Sequence, residues 1–465
     1  MKHYSVLFLF ICFLVASGTA LADKSGLNDN AMNELRAAGV DKYLGASQSE
    51  KSDYGVWTRH DFDPEYVLDP TYASGVRADG PACIAGTEYS VFTRQGDPKK
   101  LLIFLQGGGA CWQGFYNCNI LAEAQAPPAE GPFPGVFDPT MADNPFADYS
   151  VVYMPYCDGS TFGGDNDVND PDFPFSPTRY HRGLRNVSAG MDVAGEMFPK
   201  AKQITVMGHS AGGVGVAAFT PFLARFVFGN NTKLTVYNDA GPIAVNLGTP
   251  PQAGGPDIPW LSVFARQNDW QFQQFYPQSC IEDGRCNAFG QQTGIINWRL
   301  ENDSTIREAF YETDSDRTNR FFAQGDGSRM DPEVYRELIL AEHGALNEAY
   351  PRRYKRFIVS GDDTHGAVQV TAATPNFPVP QPFSFYTQQA NGIPLLDRTP
   401  HLLRPANYPS PNPGHGVHVG RVPSWIWHDE GRIQLRQQYR KKRYYGRWVA
   451  EYMRRRPGAA GHSAR

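Results

Sequence analysis

The tightest constraint on this chain is the run Ile204-Thr205-Val206-Met207, which ends abruptly in Gly208-His209-Ser210-Ala211-Gly212. A short apolar run bounded by glycine reads as a buried strand, and the residues from Gly213 onward predict a helix. A serine between the two must sit on a sharp turn, where flanking glycines let neighbouring backbones approach closely. This is the strand–turn–helix context in which a G-x-S-x-G serine acts as a nucleophile. Glycine is common here, 46 of 465 residues, so a Gly-rich connection without chemistry would show the same letters. The rest of the chain therefore has to supply an oxyanion hole, a base and an acid.

Strand-like runs recur at 89–92, 101–105, 149–156, 203–207, 233–237, 260–265 and 356–359, with helical spacing at 183–197 and 214–228. This alternation predicts an α/β fold: a doubly wound, mostly parallel sheet with helices on both faces and insertions. Ligands of such sheets bind beyond the carboxyl ends of the strands. Ser210 falls there, and so does Gln106-Gly107-Gly108-Gly109-Ala110-Cys111-Trp112, which follows the run 101–105. A triple glycine at that position lets backbone N–H groups turn towards a developing oxyanion. It lacks the G-x-G-x-x-G spacing and following acid of a dinucleotide site. Residues 266–354 leave the rhythm, and about 277–350 reads as an insertion packed over the sheet. The whole divides into a polar segment 23–80 with a short amphipathic helix at 30–44, a catalytic domain 81–403, and a Pro-rich linker with a basic tail at 404–465.

At the N-terminus, Lys2 and His3 precede an apolar run at 6–15 and then Ala20-Leu21-Ala22. This predicts a signal peptide, residues 1–22, cleaved near Ala22, and a secreted or periplasmic mature protein. The run is too short for a spanning helix, and no other stretch is apolar enough to cross a membrane. With Cys12 removed, six cysteines remain, and in an oxidising compartment an even number predicts disulfides. Sequence leaves fifteen pairings open. Close spacing favours Cys111–Cys118 and Cys280–Cys286, which leaves Cys83 with Cys157. No C-x-x-C accompanies a histidine pair, so no metal site is expected. The net charge of -5 argues against a nucleic-acid binder. The tail at 432–456 is basic and aromatic, which fits either contact with an anionic polymer or a solvated exposed helix.

A serine nucleophile needs a histidine to take its proton and a carboxylate to hold that histidine's tautomer, in the chain order Ser, acid, His for this kind of sheet. Of the histidines after Ser210, His365 alone directly follows a buried-strand run, in Gly361-Asp362-Asp363-Thr364-His365. Asp269 follows the run 260–265 and fits the required order. Asp362 and Asp363 are alternatives, and Asp239 is a weaker one.

Taken together, these residues resemble the pectin acetylesterase family, which also contains the Notum carboxylesterases. The resemblance runs from about 83 to 403. It rests on the triple-glycine segment, Tyr156-Cys157-Asp158-Gly159-Ser160-Thr161-Phe162-Gly163-Gly164-Asp165, His181-Arg182-Gly183, the elbow with Gly213, and Asp269-Trp270-Gln271. It implies a secreted serine esterase on an α/β-hydrolase-like core, without metal or cofactor. Ser210 would be the nucleophile, Asp269 the acid and His365 the base, with an oxyanion hole around Gly108, Gly109 and Ala211. The implied substrate is an acylated polysaccharide such as pectin. The alternatives are an esterase for longer acyl chains and a non-catalytic carbohydrate-binding protein on the same scaffold.

Overall fold

The computed structural model describes residues 26–45, 54–62, 80–120, 135–137, 139–140, 145–242, 265–286, 292–324, 328–359, 365 and 417–419. Within these the strands are β1 Trp57–Phe62, β2 Tyr89–Arg94, β3 Asp97–Leu105, β4 Gly109–Trp112, β5 Phe115–Cys118, β6 Tyr149–Met154, β7 Asn166–Asn169, β8 Thr178–His181, β9 Gln203–His209, β10 Lys233–Asp239, β11 Arg307–Thr313, β12 Tyr354–Val359 and β13 Val417–Val419. The central sheet has the order β1-β2-β6-β3-β9-β10-β11-β12-β13. Its six middle strands, from β6 to β12, pair in parallel; β1, β2 and β13 add antiparallel edges. β4 with β5 and β7 with β8 form two separate hairpins. This is the expected mostly parallel α/β sheet, of the α/β-hydrolase-like kind.

The middle strands are buried on both faces, as a sheet covered by helices on each side requires. All of Leu101 through Leu105 is fully buried, and β6, β9 and β10 bury every residue except Gln203 and Lys233, which are half-buried. The covering helices include α1 Asp29–Ala37, α2 Gly183–Met197, α3 Ala211–Ala217 and α4 Thr220–Phe228, followed by α5 Gln278–Glu282, α6 Gln292–Asn302, α7 Arg317–Gln324 and α8 Pro332–Ala349. The helix expected at 214–228 is thus two helices, whose axes turn by 55°. Pro221, in the first turn of α4, cannot continue the ladder of α3. Arg299 on α6 occupies the break, donating to the carbonyls of Ala217 and Ala218 at 3.0 and 2.7 Å.

Two differences from the sequence reading matter for the site. The segment taken as an insertion contains β11, a fully buried strand between β10 and β12. Its charged letters hid it: Glu308 is buried because Arg299 neutralises it at 2.7 and 2.8 Å. The strand expected at 260–265 lies outside the described residues except for Ala265, which opens a π-helical turn, Ala265–Trp270.

The polar N-terminal segment docks on the core where it is described. Leu27, Ala31, Leu35 and Val40 join the hydrophobic cluster, and Asp165 accepts from Lys42, Tyr43 and Arg185. Part of the C-terminal segment also reaches the sheet, because β13 pairs with β12. The expected signal peptide at 1–22, the linker at 406–414 and the basic tail lie outside the described residues. Disulfides join Cys83 to Cys157, Cys111 to Cys118 and Cys280 to Cys286. Among the described residues no single helix is long and apolar enough to cross a membrane.

Candidate active site

Ser210 joins β9 to α3 with φ 55° and ψ -119°, a region that side-chain-bearing residues rarely adopt. The strained turn is fixed on both sides. The Ser210 N–H donates to the Asp239 carbonyl at 2.8 Å, and its own carbonyl accepts from the Val214 N–H at 3.0 Å. The glycines are dictated by crowding. A Cβ on Gly212 would run into the Leu105 carbonyl, and one on Gly107 would lie 2.8 Å from the His209 carbonyl and 2.9 Å from Ser210 Cβ. The end of β3 is therefore packed directly against the serine turn. Gly108 lies against Tyr156 and Asn119, its carbonyl accepting from the Asn119 N–H at 2.8 Å. Gly109 opens β4, opposite Cys118.

His365 is buried, and its Nδ1 lies 2.6 Å from Oδ2 of Asp316. Asp316 stands just past the end of β11, where the chain turns into α7. Its other oxygen, Oδ1, accepts the backbone N–H groups of Thr318 and Asn319 at 2.8 Å each, the bonding of a helix N-cap. Both the helix start and the histidine thus fix one carboxylate.

The expectation that Asp269 partners His365 is corrected by this geometry. Oδ2 of Asp269 accepts from the Gln113 N–H at 2.7 Å and from Nη1 of Arg179 at 2.8 Å. Arg179, itself fully buried, also donates through Nε to Asp170 at 2.6 Å, and Asp170 accepts from the Tyr116 hydroxyl. The next residue, Trp270, donates its indole N–H to the Cys111 carbonyl at 2.8 Å. Asp269-Trp270 is therefore a post that ties down the β4–β5 hairpin following the glycine loop. Asp362 and Asp363 lie outside the described residues.

The sequence reading missed a second buried pair. His209, which precedes the serine, places Nδ1 2.8 Å from Oδ2 of Asp239, and its ring centroid is 4.9 Å from that of His365. Asp239 is thus a histidine partner, but of His209. Its place at the end of β10 was the available signal. A third carboxylate, Glu312, lies behind Asp316: Asn319 Nδ2 donates to Glu312 Oε2 at 3.0 Å and to Asp316 Oδ2 at 3.3 Å.

The Tyr156-to-Asp165 segment packs against the glycine loop, where Tyr156 meets Gly108 and the Gly159 carbonyl accepts from the Cys111 N–H at 2.8 Å. Asp158 Oδ1 accepts from the Ser160 N–H and hydroxyl and the Phe162 N–H, holding a turn in which Thr161 and Phe162 both have positive φ. Burial pushes the Asp158 carboxyl up to about 6, against the lowering effect of those donors. His181 is held neutral, its pKa down to about 3 through burial and the neighbouring Arg179. Arg179 Nη1 donates to its Nε2 at 2.6 Å, which leaves the proton on Nδ1 for the Asp158 carbonyl at 3.1 Å. Among the described residues no three His, Cys, Asp or Glu side chains group as a metal site.

Comparison with known proteins places residues 63–246 on the pectinacetylesterase family model. That stretch includes the glycine loop, the Tyr156-to-Asp165 segment and Ser210, and stops before Asp316 and His365. Two solved structures of the Wnt deacylase Notum from Drosophila are similar to the chain. They share 17% and 16% identity at TM-scores of 0.44 and 0.45, and each match covers 62% of this chain and 83% of the Notum chain.

Proposed function

We propose that the protein is a serine carboxylesterase in which Ser210 is the nucleophile, His365 the base and Asp316 the acid. The observation that carries this reading is the His365–Asp316 pair, buried beside the strained Ser210 turn, with His365 and His209 in ring contact. In this reading His365 takes the proton of Ser210 Oγ as the oxygen attacks an ester carbonyl. Asp316 holds the imidazole by Nδ1 and stabilises the imidazolium. Backbone N–H groups around Gly108, Gly109 and Ala211 receive the oxyanion, each such donor contributing about 3 kcal/mol to lowering the barrier. Collapse expels the alcohol, which takes the proton from His365. Water, deprotonated by His365, then cleaves the acyl-enzyme and releases the acid.

The substrate we infer is an acetylated polysaccharide. The family match over 63–246 supports this reading. Three disulfides support action outside the cytoplasm, as does the leader-like N-terminus. The test is hydrolysis of p-nitrophenyl esters of increasing acyl length by wild type and Ser210→Ala. The expected result is a rate falling steeply beyond acetate or butyrate and abolished in Ser210→Ala. A Ser210→Ala variant as active as wild type would overturn the esterase reading. A preference for long chains would overturn the acetyl assignment alone.

A further inference from the structure

Glu312 is the last but one residue of β11 and is fully buried, as is Asp316 four residues on. The groups that face it come from four elements. Asp316 is in hydrogen-bond contact with it, and Asn319 on α7 bridges the two carboxyls. From α8 the Tyr335 hydroxyl donates to Oε2 at 3.2 Å, and within β11 the Thr313 N–H donates to Oε1 at 2.8 Å. Asp239, at the end of β10 and paired with His209, adds a further negative charge nearby. Among the described residues, none of these groups facing Glu312 is a cation.

Two carboxylates in hydrogen-bond contact away from water cannot both ionise without a large cost, so one of the two holds a proton. The donors decide which. Asp316 receives two backbone N–H groups at the start of α7 and faces His365. Its charge is thus the better solvated of the two. We propose that Glu312 is a neutral carboxylic acid that donates its proton to Asp316 and positions that carboxylate for His365. Burial and the Asp316 charge both push the Glu312 carboxyl well above the usual range, in the same direction. Glu312 is a positioning residue: it reaches the serine only through Asp316 and His365. Its neutrality leaves the charge on Asp316, the carboxylate that the imidazole faces.

The inference rests on the esterase reading for its catalytic consequence and is independent of it for its protonation state. Two variants and two measurements separate these. Glu312→Gln keeps the shape, the neutrality and an N–H donor towards Asp316. It should hold kcat within about threefold of wild type on p-nitrophenyl acetate, with the acidic limb of the kcat/KM profile in place. Glu312→Val removes the donor and should lower kcat at least about tenfold with KM little changed. A Gln variant with a displaced acidic limb, or a Val variant as active as wild type, overturns the positioning role.

The second measurement is urea stability against pH, which needs no activity. A carboxyl whose folded pKa is raised is stabilising below its unfolded value, near 4.5, and that stability is lost as pH rises towards the folded value. The urea midpoint of Glu312→Gln relative to wild type should therefore rise from pH 4 to pH 8. A difference that stays flat or falls means Glu312 is ionised in the folded protein and overturns the proposal. If the pH trend appears while neither wild type nor Gln variant hydrolyses esters, the esterase reading fails and the neutral Glu312 stands.

Discussion

Nδ1 of His365 stands 2.6 Å from Oδ2 of Asp316, and the other oxygen of that carboxylate caps α7. A side chain held at both ends has little freedom to leave the imidazole, so the tautomer of His365 is fixed with its proton on Nδ1. This shared carboxylate links the architecture of β11 and α7 to the chemistry proposed at Ser210.

Asp316→Asn and Asp269→Ala should therefore fail differently. Changing Asp316 to Asn lets the imidazole adopt the wrong tautomer, and kcat should fall about 10³- to 10⁴-fold in a folded protein. Removing Asp269 takes from the buried Arg179 one of its two carboxylate partners, with Asp170 remaining, and should cost about 1–3 kcal/mol in stability. What remains folded should keep its rate within about tenfold. Urea unfolding beside p-nitrophenyl acetate kinetics distinguishes them, and the reverse pattern would return the acid role to Asp269.

Gly107→Ala tests how tightly the glycine loop is fitted to the serine turn. The added methyl would meet the His209 carbonyl and Ser210 Cβ inside normal contact distance. Displacing the turn by even about 1 Å is expected to reduce kcat roughly 10²-fold. Unaltered kinetics would mean that the loop yields without moving the serine.

Asp158→Asn gives a pH signature in the turn beside the glycine loop. The wild-type carboxyl is raised from 3.8 to about 6, so its protonated form is favoured by folding. The stability this contributes is complete below pH 3.8 and is lost as pH rises through 6. Asparagine has no such dependence. Between pH 3.5 and pH 7 the stability of Asp158→Asn should gain on wild type by about 3 kcal/mol at most. Chemical denaturation across that range measures it, and a gain in the opposite direction would mean that the turn's N–H donors outweigh burial.

The disulfides should contribute unequally. Cys83 and Cys157 are 74 residues apart, against 7 for Cys111–Cys118 and 6 for Cys280–Cys286. On chain entropy the long loop is worth about 4 kcal/mol and each short one about 2.5 kcal/mol. Paired Cys→Ala variants, compared by urea midpoint, should rank in that order.

What was legible in the sequence follows from how many residue types each position admits. The serine turn tolerates only glycine where Gly107 and Gly212 approach other backbones, so its letters are nearly unique. The parallel strands 101–105 and 203–207 announce themselves because both faces are apolar, and the helix at 183–197 was read with its observed bounds. β11 has the same buried position but carries Arg307, Glu308 and Glu312; Glu308 meets Arg299, and Glu312 meets Asn319 and Tyr335, all from other elements. A strand whose charges are neutralised by tertiary contacts has no local signature. With β11 unread, Asp316 had no strand end to sit on, and Asp269 took its place because the residues before it looked like a strand. Asp269 belongs to the site region all the same, as the anchor of the hairpin beyond the glycine loop.

The most direct test of the account is where a fluorophosphonate probe attaches. The phosphonylating probe should add to one serine, Ser210, located by mass spectrometry of the digested protein. Asp316→Asn should slow that labelling about 10³-fold or more, whereas folded Asp269→Ala should leave it near the wild-type rate. A label on another residue, or no label on fully folded wild type, would contradict the account.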